Sequence, residues 1–221
     1  MKNTLFIPPQ HTPHFTLPSH TITWEQDISH LKKGFSPKEL DRFLDLYAKG
    51  QENPQKIQKG VELFKEDHPD HPEVLNLLTY VYLSKRKVRK ANQLIQENYE
   101  KNPLYIFARI NYADLCLRRK HPQKIPEIFD QKFNLRELYP EKKVFHVSEF
   151  RGFMVLMGFY HLSLGKQEAA EGYHYLAQRV DPHHPSTKIL EKKLYIKSFY
   201  KRLVSSILNK VSRLTNIIKK R

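Results

Sequence analysis

RGFMVLMGFYHLSLGKQEAAEGYHYLAQRVDP, residues 151–182, is the stretch whose reading decides the fold. Its first half brings Met154, Met157, Gly158, His161 and Leu164 round every three or four residues, the spacing of one helix face. Gly165-Lys166 interrupts it. The second half repeats the spacing with Ala169, Ala170, Tyr173, His174 and Ala177. It ends before Asp181-Pro182, because proline lacks the N–H that a helix needs and biases its predecessor toward extended backbone. The spacing predicts two antiparallel helices joined by a tight turn, with Gly158 and Ala170 small enough to let them approach closely.

The pattern recurs upstream. Pro72 to Tyr105 supplies Leu75, Leu78, Tyr82, Ala91, Ile95 and Pro103 in the same slots, and Lys38 to His71 supplies Leu44, Ala48, Ile57, Val61, Phe64 and Pro69. Ile106 to Tyr139 gives Tyr112, Ala113, Cys116, Ile125 and Phe129, with no terminal proline. The starts at 38, 72 and 106 are 34 residues apart, and the step to 151 is 45, so about eleven extra residues sit near Tyr139–Phe150. This arrangement resembles the tetratricopeptide repeat (TPR), a 34-residue helix-turn-helix unit. Gly158, Gly165, Ala170, Ala177 and Pro182 stand in the family's small-residue, turn and terminal-proline slots, while His161 and His174 replace the aromatics it prefers. The resemblance implies an all-α, right-handed α-solenoid of four TPR-like helix pairs over residues 38–184.

Outside the repeats the chain divides by composition. Residues 1–23 carry Pro8, Pro9, Pro13 and Pro18 among large apolar side chains, which predicts an extended, proline-rich arm. Trp24, Ile28 and Leu31 predict a short capping helix over 24–36. Ser36-Pro37 then offers an N-cap hydroxyl and a first-turn proline, so the repeat domain is expected over 37–185. Pro122 and Pro126 predict a late second helix in the third repeat, and 136–150 is expected as an inserted connection. From 186 to 221 the spacing predicts a capping helix that continues into a basic amphipathic tail. There Leu190, Leu194, Phe199, Leu203 and Ile207 share one face, opposite Lys197, Lys201, Arg202, Lys210, Arg213, Lys219, Lys220 and Arg221.

Charge follows the same division. The formal net charge is +15, and residues 186–221 hold eleven Lys or Arg against Glu191 alone. The single cysteine, Cys116, occupies a core slot and cannot close an intrachain disulfide, which fits a reducing, cytoplasmic setting. No secretory signal is expected, since the apolar run Leu5-Phe6-Ile7 stops at Pro8-Pro9.

Catalytic chemistry is not legible in these residues. Gly158…Gly165-Lys166-Gln167 has the wrong spacing and no Ser or Thr for a phosphate-binding loop. The junction histidines His71, His121, His183 and His184 read as turn formers, and His161 with His174 reads as packing against Tyr160 or Tyr173; no metal, cofactor or catalytic residue is expected. The resemblance implies instead a scaffold that binds a protein or peptide partner in the concave groove of its first helices. Aligned to the family's groove slots are Arg42, Leu46, Asn76, Tyr80, Phe107, Ile110, Asn111, Asp114, Val155, Phe159 and Leu162. A groove this apolar suits an extended hydrophobic segment rather than the family's carboxylate clamp, and the Phe6–Ile22 arm is one candidate occupant. The alternative is a peripheral membrane protein held to anionic lipid by the tail, with nucleic acid the least favoured partner.

Overall fold

The computed structural model describes residues 3–13 and 16–195. Among them the chain begins with β1 (Thr4–Ile7), β2 (Gln10–His11), β3 (Thr16–Leu17) and β4 (His20–Thr23). A short helix, α1 (Ser29–Gly34), leads into the helix pairs. α2 (Pro37–Glu52) pairs with α3 (Gln58–Asp67), and α4 (Pro72–Ser84) with α5 (Val88–Lys101). α6 (Ile106–Arg118) is followed by a 3-10 turn, Pro122–Lys124, and by α7 (Ile125–Ile128) and α8 (Leu135–Leu138). β5 (Val144–His146) opens the last pair, α9 (Val147–Ser163) and α10 (Gln167–Val180), and residues 185–195 form the last described helix, α11. The fold is an α-solenoid.

The period is written in the turns. α4, α6 and α9 all end in a Schellman-type turn, in which Lys87 N donates to Tyr82 O (2.8 Å), His121 N to Cys116 O (2.9 Å) and Lys166 N to His161 O (2.9 Å). Such a turn needs one residue in the left-handed region. Gly165 fills it in the last pair at φ 75°, but Arg86 at 56° and Lys120 at 62° fill it in the other two. Side chains in that region cost about 1 kcal/mol or more, so glycine would be the relaxed choice.

Helix starts are capped by residues suited to it. Ser36 and Glu39 form a reciprocal capping box at α2. His71 and His184 cap with imidazole rather than hydroxyl: their Nδ1 atoms accept from Glu73 N and Ser186 N. Two junction histidines are therefore turn formers.

Four features depart from the sequence reading. The N-terminal arm is not polyproline-like: β1 and β4 pair antiparallel from Thr4↔Thr23 to Ile7↔His20, and β4 pairs parallel with β5 from Thr21↔Val144 to Thr23↔His146. The prolines at 8, 9, 13 and 18 lie between strands, where no ladder donor is lost. α1 starts at Ser29 rather than Trp24, because Trp24 N is still bonded to Asn3 O and Asp27 Oδ1 accepts from Ser29 N. The second helix of the third pair is reduced to one turn. Pro126 has no N–H to give, and Asp130 and Gln131 both adopt positive φ, closing α7 with Gln131 N to Pro126 O. The fourth concerns Gly158, whose smallness serves α11 rather than α10: a Cβ there would come within 2.5 Å of Leu190 Cδ2.

Two apolar clusters hold the solenoid. One joins Leu31, Phe35 and Phe43 to Val61, Phe64, Leu75, Leu78 and Ala91 across the first two pairs. The other surrounds α9, whose Val147, Phe150, Phe153, Val155, Met157, Tyr160 and Leu162 are buried on every side of the helix. α6, α10, β4 and β5 all touch α9, and Ile7, Leu17 and Ile22 of the strands belong to its cluster. A helix apolar all round is a helix covered all round.

Candidate functional site

The first helices of the pairs begin along one edge of the solenoid, where they frame a cleft of about 870 Å³. α2 contributes Phe43, Leu44 and Tyr47 to it, the start of α4 contributes His71, Pro72, Glu73 and Asn76, and the start of α6 contributes Tyr105, Ile106 and Phe107. Ser148 and Glu149 come from the start of α9. The remaining wall is built by what the period leaves out. Thr23, Glu25, Gln26, Asp27 and Ile28, which lead from the end of β4 to α1, line it together with β5, whose His146 pairs with Thr23, and with Tyr139 and Lys142.

β5 stands at the edge of its sheet, whose order is β1-β4-β5, and all three of its residues face or border the cleft. Val144 is exposed there, and so is Leu104 on the α6 side, at 72%. An edge strand beside an apolar floor offers unpaired backbone groups to an extended chain.

The charge of the cleft runs against that of the chain. Glu25, Asp27, Glu73 and Glu149 line it against a single lysine, Lys142, which is itself bound to Glu149 at 2.6 Å. Glu149 also accepts from His146 N, completing the cap of α9. Burial, and then the Glu73 carboxylate, push the Tyr105 phenol well above its ordinary range. Burial likewise raises Tyr47 and lowers His146, so the Tyr47 phenol and the His146 imidazole are neutral near pH 7.

Of the residues aligned to groove slots, the structure brings Asn76 and Phe107 into this cleft. Arg42 lies instead over the Phe64 ring of its own pair, 5.3 Å from the centroid, with Asp67 at 3.7 Å. Leu46 faces Gly60 within the same hairpin, while its neighbours Leu44 and Tyr47 take the cleft. Asn111 Nδ2 donates to Asn76 Oδ1 at 2.9 Å, so the two amides bond one another rather than waiting for a peptide backbone. Asp114 is bound to Arg118 at 2.8 Å, and Tyr80 is exposed outside the cleft lining. Ile110, Val155 and Leu162 are buried in the cluster around α9, and Phe159 lies under the Lys193 ammonium at 5.1 Å. The cations expected in the tail, Lys197, Lys201, Arg202, Lys210, Arg213, Lys219, Lys220 and Arg221, lie outside the described residues.

His161 stacks on Tyr173 with centroids 5.2 Å apart, whereas His174 meets Tyr195 of α11 edge-on. They serve different seams. Cys116 is buried, and its thiol is raised by that burial. Among the described residues no three His, Cys, Asp or Glu side chains converge to hold a metal, and no described helix is long and apolar enough to cross a membrane.

No family model matches the chain, and no curated protein does. Among solved structures it is similar to Pseudomonas aeruginosa PilF, at 16% identity and a TM-score of 0.48, with 72% of this chain and 68% of that one covered. It is similar to the Cut9–Hcn1 hetero-tetramer of the APC/C at 14% identity and a TM-score of 0.47, over 72% of this chain but only 28% of that one. A MamA point mutant follows at 17% identity and a TM-score of 0.40, over 68% of this chain and 84% of the other. At these identities and scores none of them carries a function across.

Proposed function

We propose that the protein is a non-enzymatic scaffold that binds an extended, basic and apolar segment of a partner protein in the cleft at the starts of its first helices. The observation that supports this most is the position of β5: an edge strand forms one wall of a cleft whose floor is apolar and whose carboxylates outnumber its lysine four to one. An extended segment laid along β5 would gain backbone hydrogen bonds from the strand and burial from Leu44, Tyr47 and Phe107. Lysine or arginine at alternate positions would meet Glu25, Asp27 and Glu73. The expected occupant is thus basic as well as hydrophobic, which the alignment alone did not suggest.

The experiment is fluorescence anisotropy with labelled octapeptides that alternate aliphatic residues with Lys, compared with the same peptides carrying Glu. The lysine series is expected to bind and to weaken with added salt. Leu104→Ser, an uncharged change at an exposed cleft position, should reduce that affinity about tenfold without unfolding the chain. Equal binding of the glutamate series, or affinity unmoved by Leu104→Ser, would overturn the reading.

A further inference from the structure

The opposite ends of the first helices carry a feature unrelated to the cleft. Between Glu73 and Glu97 the chain has no carboxylate, and none between Asp114 and Glu127. Those two stretches contain the turns that close α4 and α6. Lys85, Arg86, Arg89, Arg119, Lys120 and Lys124 are all exposed there, and none takes part in an ion pair among the described residues. The two turns are neighbours in space, since Arg119 and Arg89 line the same notch of about 430 Å³ with Asn92, Gln93 and Gln96.

Two further observations separate this edge from an ordinary solvated charge run. Arg86 and Lys120 sit 34 residues apart in the one backbone position of each turn where glycine would be relaxed, as Gly165 is in the last pair. Strain held at equivalent positions by the same charge is a reason to look for a contact there. The same edge also exposes aliphatic side chains: Leu83 at 43%, Val88 at 48% and, beside Gly165, Leu164 at 43%. A phosphate backbone has no use for aliphatics, and among the described residues Tyr80, one helical turn before Leu83, is a single exposed ring near the two basic turns, too few for a row of stacked bases. A bilayer surface uses both, with cations at the headgroups and aliphatic tips at the acyl boundary.

We infer that the edge formed by the turns closing α4, α6 and α9 docks the solenoid peripherally on an anionic membrane surface. Arg86, Arg89, Arg119 and Lys120 meet lipid phosphates and carboxylates, and Leu83, Val88 and Leu164 enter the interface. The cleft lies at the other end of the same helices and stays open to a partner in solution.

The test is flotation of the full chain with phosphatidylcholine vesicles, with and without phosphatidylserine, comparing the native protein with the Arg86→Gly/Lys120→Gly double variant. Glycine suits both turn positions, so the variant folds while losing two cations. Each cation near an anionic surface is worth roughly fivefold in partitioning, and the double variant should therefore bind on the order of 25-fold more weakly. A Leu83→Ser/Val88→Ser variant should lose the binding that survives high salt. Unchanged partitioning of the glycine variant overturns the inference, as does equal recovery on pure phosphatidylcholine. Retention of a duplex oligonucleotide without vesicle binding overturns it in favour of nucleic acid.

Discussion

Asn111 Nδ2 lies 2.9 Å from Asn76 Oδ1, and this bond ties α6 to α4 behind the cleft. The two residues are 35 positions apart, so the contact joins nearly equivalent places on successive first helices. It fixes the spacing at which Tyr47, Asn76 and Phe107 line one surface. Replacing Asn111 with Ala should cost about 1 kcal/mol, and Asn76→Ala about the same. The double variant should cost little more than either single change, and urea denaturation of the four proteins reads that non-additivity.

Gly158→Ala should destabilise the chain by about 1–2 kcal/mol, because Leu190 is fully buried and its Cδ2 stands 2.5 Å from where the new methyl would sit. Leu190→Ala in the same chain should recover part of the loss, although alone it leaves a cavity. A midpoint for the double variant above that of Gly158→Ala is the expected result in thermal melts.

The stability should fall in acid. Burial lowers His20 and His161 to about 4, and it also lowers His146, His174 and His184. Between pH 6.5 and about 4 the unfolded chain therefore binds more protons than the folded one. Stability is complete above pH 6.5 and is lost as the pH drops toward 4. His20 is 2% exposed between Phe145 and Phe150, so its share reaches about 3 kcal/mol. His20→Leu should flatten that part of the profile, measured as urea midpoints from pH 7.5 to 5.

Arg86→Gly and Lys120→Gly should each raise stability by about 0.5 kcal/mol. Relief of the left-handed strain exceeds the extra freedom glycine gives the unfolded chain. Two chemical denaturation curves check this, and a gain in both marks the native residues as retained for something other than stability.

The periodic part of the fold was legible because 34-residue spacing repeats small and aromatic residues whatever lies between them. The strands were not. Each has four residues or fewer, too few for alternation to show, and β4 finds β5 some 120 positions away. The aligned slots placed Asn76 and Phe107 in the cleft, but in α2 the reading was out of register: Leu44 and Tyr47 line the cleft, whereas Leu46 turns to Gly60. Adjacent helix positions are rotated by about 100°, so one step exchanges seam for surface. In α9 the expected groove residues Val155 and Leu162 are buried in the cluster around that helix, to which the N-terminal strands, invisible in the spacing, also contribute. The basic edge is not legible along the chain, where Glu39, Asp67, Glu73 and Glu149 offset its charge. In space those carboxylates are at the other end of the helices or on another pair.

The pairing of β4 with β5 also sets an order of events at synthesis. A simple array of helix pairs can close one unit after another as it leaves the ribosome, each resting on the last. Here the first strands emerge with their partner strand and α9 still untranslated, so Ile7, Leu17 and Ile22 have nothing to dry them until residues 144–163 follow. Strands made ahead of the helix pairs are thus among the last elements to be secured, and a chain stalled before Val144 would carry them as sticky surface that chaperones must shield.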